Sequence, residues 1–282
     1  MLRYLKTGIF CLLLLSVPAL AGATMFPWLE KGQKTQVLAD KIPAPQGYER
    51  AEVQPGSFVF WLRSLPVKPG SPPVTLYNGE KKHNQNVHYA VLDIDVGTKD
   101  LQQCADAVIR LRAEYLFFSD RYDQIHFNFT SGDRAEFTRW ANGFRPVVQG
   151  SQVTWVQQGD QSSSYSQFRS YLETVMMYAG TASLSRELKP VDSVEDIRPG
   201  DVFIQGGFPG HAVLVADTAI HTQTGQKVFL LAQSFMPAQD IHILKNLNNS
   251  DISPWYGTDF GDNLKTPEWV FEKRHLMRFS LE

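Results

Sequence analysis

The chain has 282 residues, with 27 Lys and Arg against 29 Asp and Glu, for a formal charge of -2. That near-neutrality argues against a nucleic-acid partner, and a 43% apolar, 12% aromatic composition excludes a disordered or fibrous chain. The length suffices to bury the core of one large domain or two small ones.

The first residues read MLRYLKTGIFCLLLLSVPALAGATMF. Arg3 and Lys6 precede an apolar run over 9–20, and small-residue cleavage sites end at Ala21 and Ala23. The pattern predicts a signal peptide over residues 1–23, and with it a periplasmic or extracellular protein. The run is too short to span a bilayer, and no later stretch approaches a span. Cys11 lies within the run and leaves with the peptide, so one thiol remains, Cys104. A lone thiol in an exported protein cannot be half of an internal disulfide. It is an inert small hydrophobe or a nucleophile.

In chain order, residues 24–57 are polar and broken by Pro and Gly, and read as an irregular arm wrapping the body. Residues 57–65 read as a strand and 66–73, with four prolines, as a loop. The alternating string VHYAVLDIDV predicts a strand over 87–96. Asp100 is then the predicted N-cap of a helix over 101–118, with Gln103 as its capping-box partner. Leu101, Cys104, Ala105, Val108 and Tyr115 recur there at helical spacing. A strand over 125–130, a short helix over 134–141 around Trp140 and a polar loop over 157–164 follow. Residues 165–178 predict a second helix, closed by Gly180. Arg198 to Asp201 form a turn into a strand over 202–205, and 206–210 a Gly/Pro bend. Residues 211–216 and 227–235 read as the arms of an antiparallel hairpin whose loop holds Gly225. Helices first and hairpins later predict an α+β fold in a single domain over 24–282.

Chemistry concentrates in two places. A thiol is a nucleophile only as thiolate, and a helix N-terminus lowers its pKa, which is where Cys104 is predicted to sit. The partner it needs is a histidine from a strand packed across that helix end, and His211 opens such a strand behind Gly210, a residue that permits close backbone approach. The imidazole needs an orienting polar group. The neighbouring strand offers Gln233 under an even-sum register, such as His211 opposite Gln233, or Ser234 under an odd-sum one; Gln233 is preferred. The other histidines, with Asp93 and Asp95, form no close-spaced pair of the HExxH kind, so no metal is expected. No phosphate-binding loop is present and no cofactor is expected, because the glycines of 206–210 lead into a strand and lack the P-loop lysine.

The order of helix-borne Cys104, a Pro199-Gly200-Asp201 turn, a Gly210-His211 strand and a polar residue on the next strand resembles the papain-like cell-wall cysteine peptidases and amidases of the NlpC and CHAP kind. It departs from them at the nucleophile, where Gln103-Cys104-Ala105 stands in place of their Asp-Cys-Ser/Gly. The strings DLQQCADAVIRLRAEYLF and LLAQSFMPAQDIHIL are similar to a secreted bacterial family known only as a domain of unknown function (4846).

The papain-like resemblance implies a papain-like core, with elaborations over 120–195, in which Cys104 attacks an amide or ester carbonyl, His211 carries the proton and Gln233 orients the ring. It implies an oxyanion site at the Cys104 backbone N–H, with Gln102 or Gln103 as side-chain donor. Where papain-like peptidases place that glutamine, this chain has Thr98. The implied substrate is an amide of peptidoglycan stem peptides. The competing expectation is a non-catalytic envelope binding or scaffolding protein with a buried structural thiol.

Overall fold

The computed structural model describes residues 25–30 and 35–280. The signal-peptide segment, its cleavage sites and Cys11 lie outside the described residues. Six helices punctuate this part of the chain: α1 Leu38–Lys41, α2 Phe58–Arg63, α3 Cys104–Phe118, α4 Phe137–Ala141, α5 Tyr165–Tyr178 and α6 Thr181–Glu187. The fold is mixed α and β, built on one large antiparallel sheet. Its nine described strands are β1 Tyr48–Glu49, β2 His88–Val91, β3 Lys189–Pro190, β4 Val202–Gln205, β5 His211–His221, β6 Lys227–Gln233, β7 His242–Leu244, β8 Tyr256–Gly257 and β9 Leu276–Arg278. They run in the order β2-β7-β6-β5-β4-β9-β3, with β8 beside β6 and β1 beside β5.

The long central strands are apolar on both faces because both faces are covered. Leu214, Leu230, Ala232 and Ile243 pack on one side against α3 and α5, whose Val108, Leu111, Phe168 and Leu172 complete a single core. Val213, Val215, Phe229 and Leu231 pack on the other side against Leu264, Phe271 and Leu276 of the C-terminal segment. Alternate residues of one strand thus serve two cores, which is what an uninterrupted apolar run in a strand signals.

At a bulge between Val215 and Asp217 the register of β5 on β6 shifts by one. The fully buried Asp217 beside it receives Arg50 at 2.5 Å and Arg63 at 2.7 Å. Those two ion pairs bind the N-terminal arm and α2 to the sheet. The Pro-Gly-Asp turn has an architectural role as well. Gly200 has φ +95, and the Asp201 carboxylate accepts from the Arg198 N–H and clamps the Arg278 guanidinium of β9 at 2.6 and 2.8 Å.

The structure corrects several expectations. Residues 57–65 hold a helix, because the Ser57 hydroxyl caps the Phe60 N–H and Phe58, Trp61 and Leu62 bury at helical spacing. The predicted strand over 87–96 is shorter, His88–Val91. The predicted helix over 134–141 divides into a strand Arg134–Glu136, paired with His126–Asn128, and the short α4. A hairpin of Phe144–Gln149 on Gln152–Gln157, and the helix α6, had no counterpart in the sequence reading.

Helix α3 begins at Cys104, with Gln103 as N-cap, rather than at Leu101 with Asp100 as cap. Asp106 accepts from the Gln103 N–H, which makes it the acidic half of the capping pair. Asp100 Oδ1 instead takes the Gln103 side-chain amide and the Ala238 N–H, tying the turn before the helix to the bend after β6. Cys104 is therefore the first helical residue instead of the end of the first turn.

Candidate active site

The helix α3 and the strand β5 start at the same end of the sheet, and a cavity of about 520 Å³ opens between them. Cys104 and His211 both line it. Gly210 allows this approach: a Cβ there would stand 2.4 Å from the Gly207 carbonyl oxygen and 2.5 Å from Thr181 Oγ1. The bend can close over the start of α6 only with glycine at that position.

Leu214 pairs with Ala232, an even-sum register that sets Gln233 diagonal to His211 on the same face. His211 Nε2 lies 3.0 Å from Gln233 Oε1. An amide oxygen only accepts, so Nε2 carries the proton and Nδ1 is left as the basic nitrogen.

Further groups fix the amide itself. Gln233 Nε2 donates to Glu268 Oε2 at 2.7 Å and reaches His242 Nε2 at 3.4 Å. His242 Nδ1 meets the Asp240 carbonyl oxygen at 2.9 Å, which makes Nδ1 the donor and Nε2 an acceptor. Glu268 Oε1 closes the chain on Lys82 Nζ at 2.8 Å. A flipped Gln233 would set its oxygen against a carboxylate, so this chain of contacts selects the tautomer of His211. The ring is also packed between Phe235 at 4.8 Å and Trp269 at 5.2 Å. Ser234, the other candidate orienter, turns to the opposite face, where its one hydroxyl proton is shared between the Gln102 and Gln239 carbonyl oxygens at 2.7 and 2.9 Å.

Burial sets the resting protonation states. It holds His211 down to about 4, against a smaller opposing effect of Gln233, and His242 down to about 3. Burial pushes the Cys104 thiol up to about 11, overcoming the Ala212, Ala105 and Cys104 N–H groups that favour thiolate. The expected lowering of the thiol by the helix N-terminus is therefore reversed by desolvation. Ala212 N–H belongs to the peptide that His211 begins, so the sulfur sits against the backbone bearing the imidazole. At rest no hydrogen bond joins the sulfur to either ring nitrogen, and the pair is a neutral thiol beside a neutral base.

The candidate oxyanion donors separate. The Cys104 backbone N–H, at the first helical position, has no backbone acceptor among the described residues and faces its own sulfur. Gln103 lines the cavity with its amide held by Asp100. Gln102 points away, its oxygen bound to Arg110 Nη1 at 2.7 Å. Thr98 is exposed and does not line the cavity.

Sequence reasoning missed Glu268, Lys82 and Asp106, and weighed His242 only as one of the histidines that could hold a metal. Asp106 lines the cavity two residues from the thiol, its carboxyl pushed up to about 8 by burial. Nothing in the local pattern around Pro267-Glu268-Trp269 marks Glu268, which reaches Gln233 from 35 residues away. Among the described residues no three His, Cys, Asp or Glu side chains converge as metal ligands. No helix among them is long and apolar enough to cross a membrane.

The family model described as a domain of unknown function (4846) matches residues 38–278. No curated protein and no solved structure matches the chain.

Proposed function

We propose, from the premise that the chain belongs to the family described as a domain of unknown function (4846), that it is an exported thiol hydrolase with Cys104, His211 and Gln233 as its catalytic set. Membership brings no activity with it, so the reading rests on the site and on the papain-like resemblance of its residues. One observation carries it: an imidazole held through Nε2 by Gln233, with a bare Nδ1, in the same cavity as a thiol at a helix N-terminus.

In this reading Cys104 Sγ bonds to an amide or ester carbonyl carbon as its proton passes to His211 Nδ1. The negative charge on the carbonyl oxygen is met by the Cys104 N–H. The bond to the leaving amine or alcohol breaks, that group takes the proton from Nδ1, and a thioester remains. Water then attacks the thioester as Nδ1 removes its proton, the carbon–sulfur bond breaks, and the sulfur regains a proton. Glu268 and Lys82 are positioning residues, acting through Gln233. The substrate class this reading carries is an amide of cell-wall peptides.

Purified sacculi incubated with the mature protein, and analysed for muropeptides by mass spectrometry, test it. The expected result is cleaved peptides that disappear with Cys104→Ala and with His211→Ala. An unchanged muropeptide profile would contradict the cell-wall substrate.

A second reading has its own observation in favour. A thiol pushed up to about 11 and not hydrogen-bonded to His211 suits an envelope binding or scaffolding protein with a structural cysteine. In that case Cys104→Ala leaves function intact and costs only the packing of one small side chain.

A further inference from the structure

Seven large apolar side chains are exposed among the described residues, and three of them rim the Cys104 cavity. Phe208 is 98% exposed, Met236 58% and Met177 53%. They come from separate segments: the bend before β5, the bend after β6 and the end of α5. Each bend is tied down near its apolar residue. Thr181 Oγ1 donates to the Gly207 carbonyl beside Phe208, and the Ala238 N–H donates to Asp100 two residues after Met236. Single exposed apolar residues are ordinary, but three converging from distant parts of the chain on one opening mark a binding surface.

The charges around the cavity point the same way. No Lys or Arg lines it. Its carboxyl groups are Asp100 and Asp106, and its imidazole, His211, rests neutral in the cavity wall. A substrate carboxylate would find no Lys or Arg in the wall and would face the carboxylate of Asp100, with Lys82, behind Phe235, already paired with Glu268. The volume, about 520 Å³, is that of a small-molecule pocket rather than a broad interface.

We infer that Cys104 acts on substrates carrying an uncharged apolar side chain or acyl chain next to the reacting carbonyl, seated between Phe208, Met236 and Met177. This rests on the thiol-hydrolase reading and narrows it: the free carboxylates of a stem peptide stay outside the cavity, and the apolar chain enters.

Alkylation of Cys104 by iodoacetamide, N-hexyl iodoacetamide and iodoacetate, followed by intact mass, separates the two ideas. A buried methylene is worth about fourfold in binding, so the hexyl reagent is expected to label at least about tenfold faster than iodoacetamide, and iodoacetate more slowly than either. A Phe208→Ser, Met236→Ser double variant, changed only at exposed positions, should bring the hexyl and parent rates to within about twofold. Equal hexyl and parent rates in the unmodified protein overturn the apolar subsite while leaving the nucleophile standing. A hexyl preference that survives the double variant, or faster labelling by iodoacetate, also overturns it. No labelling of the folded protein by any reagent overturns the hydrolase reading and the subsite together.

Discussion

Two buried polar networks flank α3, and their difference separates architecture from chemistry. Behind the helix, Arg110 is fully buried and binds Glu114 at 3.3 Å, Asp95 at 2.7 Å and the Gln102 oxygen at 2.7 Å. Tyr165 donates to Glu114, and Arg169 reaches Asp95. Opposite charges meet directly and none of these side chains lines the Cys104 cavity. At the helix start, the charged pair Lys82 and Glu268 stands at the far end of a chain that passes through neutral Gln233 to neutral His211 at the cavity wall. The first network neutralises charge inside the core. The second carries the orienting effect of a carboxylate to a ring that has an unused basic nitrogen. Burial alone therefore says little about function; what distinguishes the second network is that it ends at a cavity.

The comparison is broken most sharply by removing one partner from each. Arg110→Met leaves the buried Glu114 with only Arg169, at 3.9 Å, as its cation and should cost about 3 kcal/mol, read by urea unfolding. The protein that remains folded should alkylate at Cys104 with an unchanged pH profile. Glu268→Gln should cost less stability but slow Cys104 labelling by about 10–100-fold, as the Gln233 amide trades an acceptor-only carboxylate for an amide that can face it with either its oxygen or its NH2, and so no longer holds one orientation. The ¹⁵N shifts of His211 should move from the Nε2–H tautomer toward a mixture, a change that a merely structural Glu268 would not cause, and Glu268→Asp should restore part of the rate.

Smaller effects sharpen the same contrast through pH. His211 and His242 are held below an unfolded value of about 6.5, so the unfolded chain binds more protons as pH falls from there toward about 4 and about 3. Their contribution to stability is present above about 6.5 and is lost through that window, and His242→Gln should flatten the acid limb of stability against pH. Asp106 acts in the opposite sense. Its carboxyl is raised from about 3.9 unfolded to about 8, so the native state holds the extra proton between those values and stability falls as pH rises through them. Unfolding at pH 5 and pH 8 should show Asp106→Asn gaining on the parent at the higher pH; an equal difference at both would show an Asp106 already ionised.

Elements with local signals at both ends were legible in the sequence. The helix Tyr165–Tyr178 has Ser164 accepting from the Gln167 N–H, and β4 follows the Gly200 turn directly. Helix α2 was hidden because its FVFWLR string is rich in residues that favour strands, and only packing against the arm and sheet revealed which period applied. The start of α3 was misread by three residues because Asp100 resembles a cap, whereas its carboxylate is committed to the bend at Ala238. The even-sum register that favoured Gln233 follows from strand geometry, and its offset by one pair changes a direct neighbour into a diagonal one. Glu268 and Lys82 were out of reach, since each joins the chain of contacts through a long-range approach with no local mark, whereas His242 lies directly opposite Gln233 on the next strand, nine residues on.

Whether His211 takes the proton of Cys104 is tested most directly by the pH dependence of Cys104 alkylation. Between the two groups' pKa values, about 4 and about 11, the fraction existing as thiolate and imidazolium does not change with pH. The labelling rate should therefore be level from about pH 5 to about pH 7, below the titration of Asp106 near 8, and His211→Ala should replace the plateau with a rate that climbs about tenfold per pH unit. An unmodified protein that already shows the climbing profile, unaltered by His211→Ala, would contradict the account.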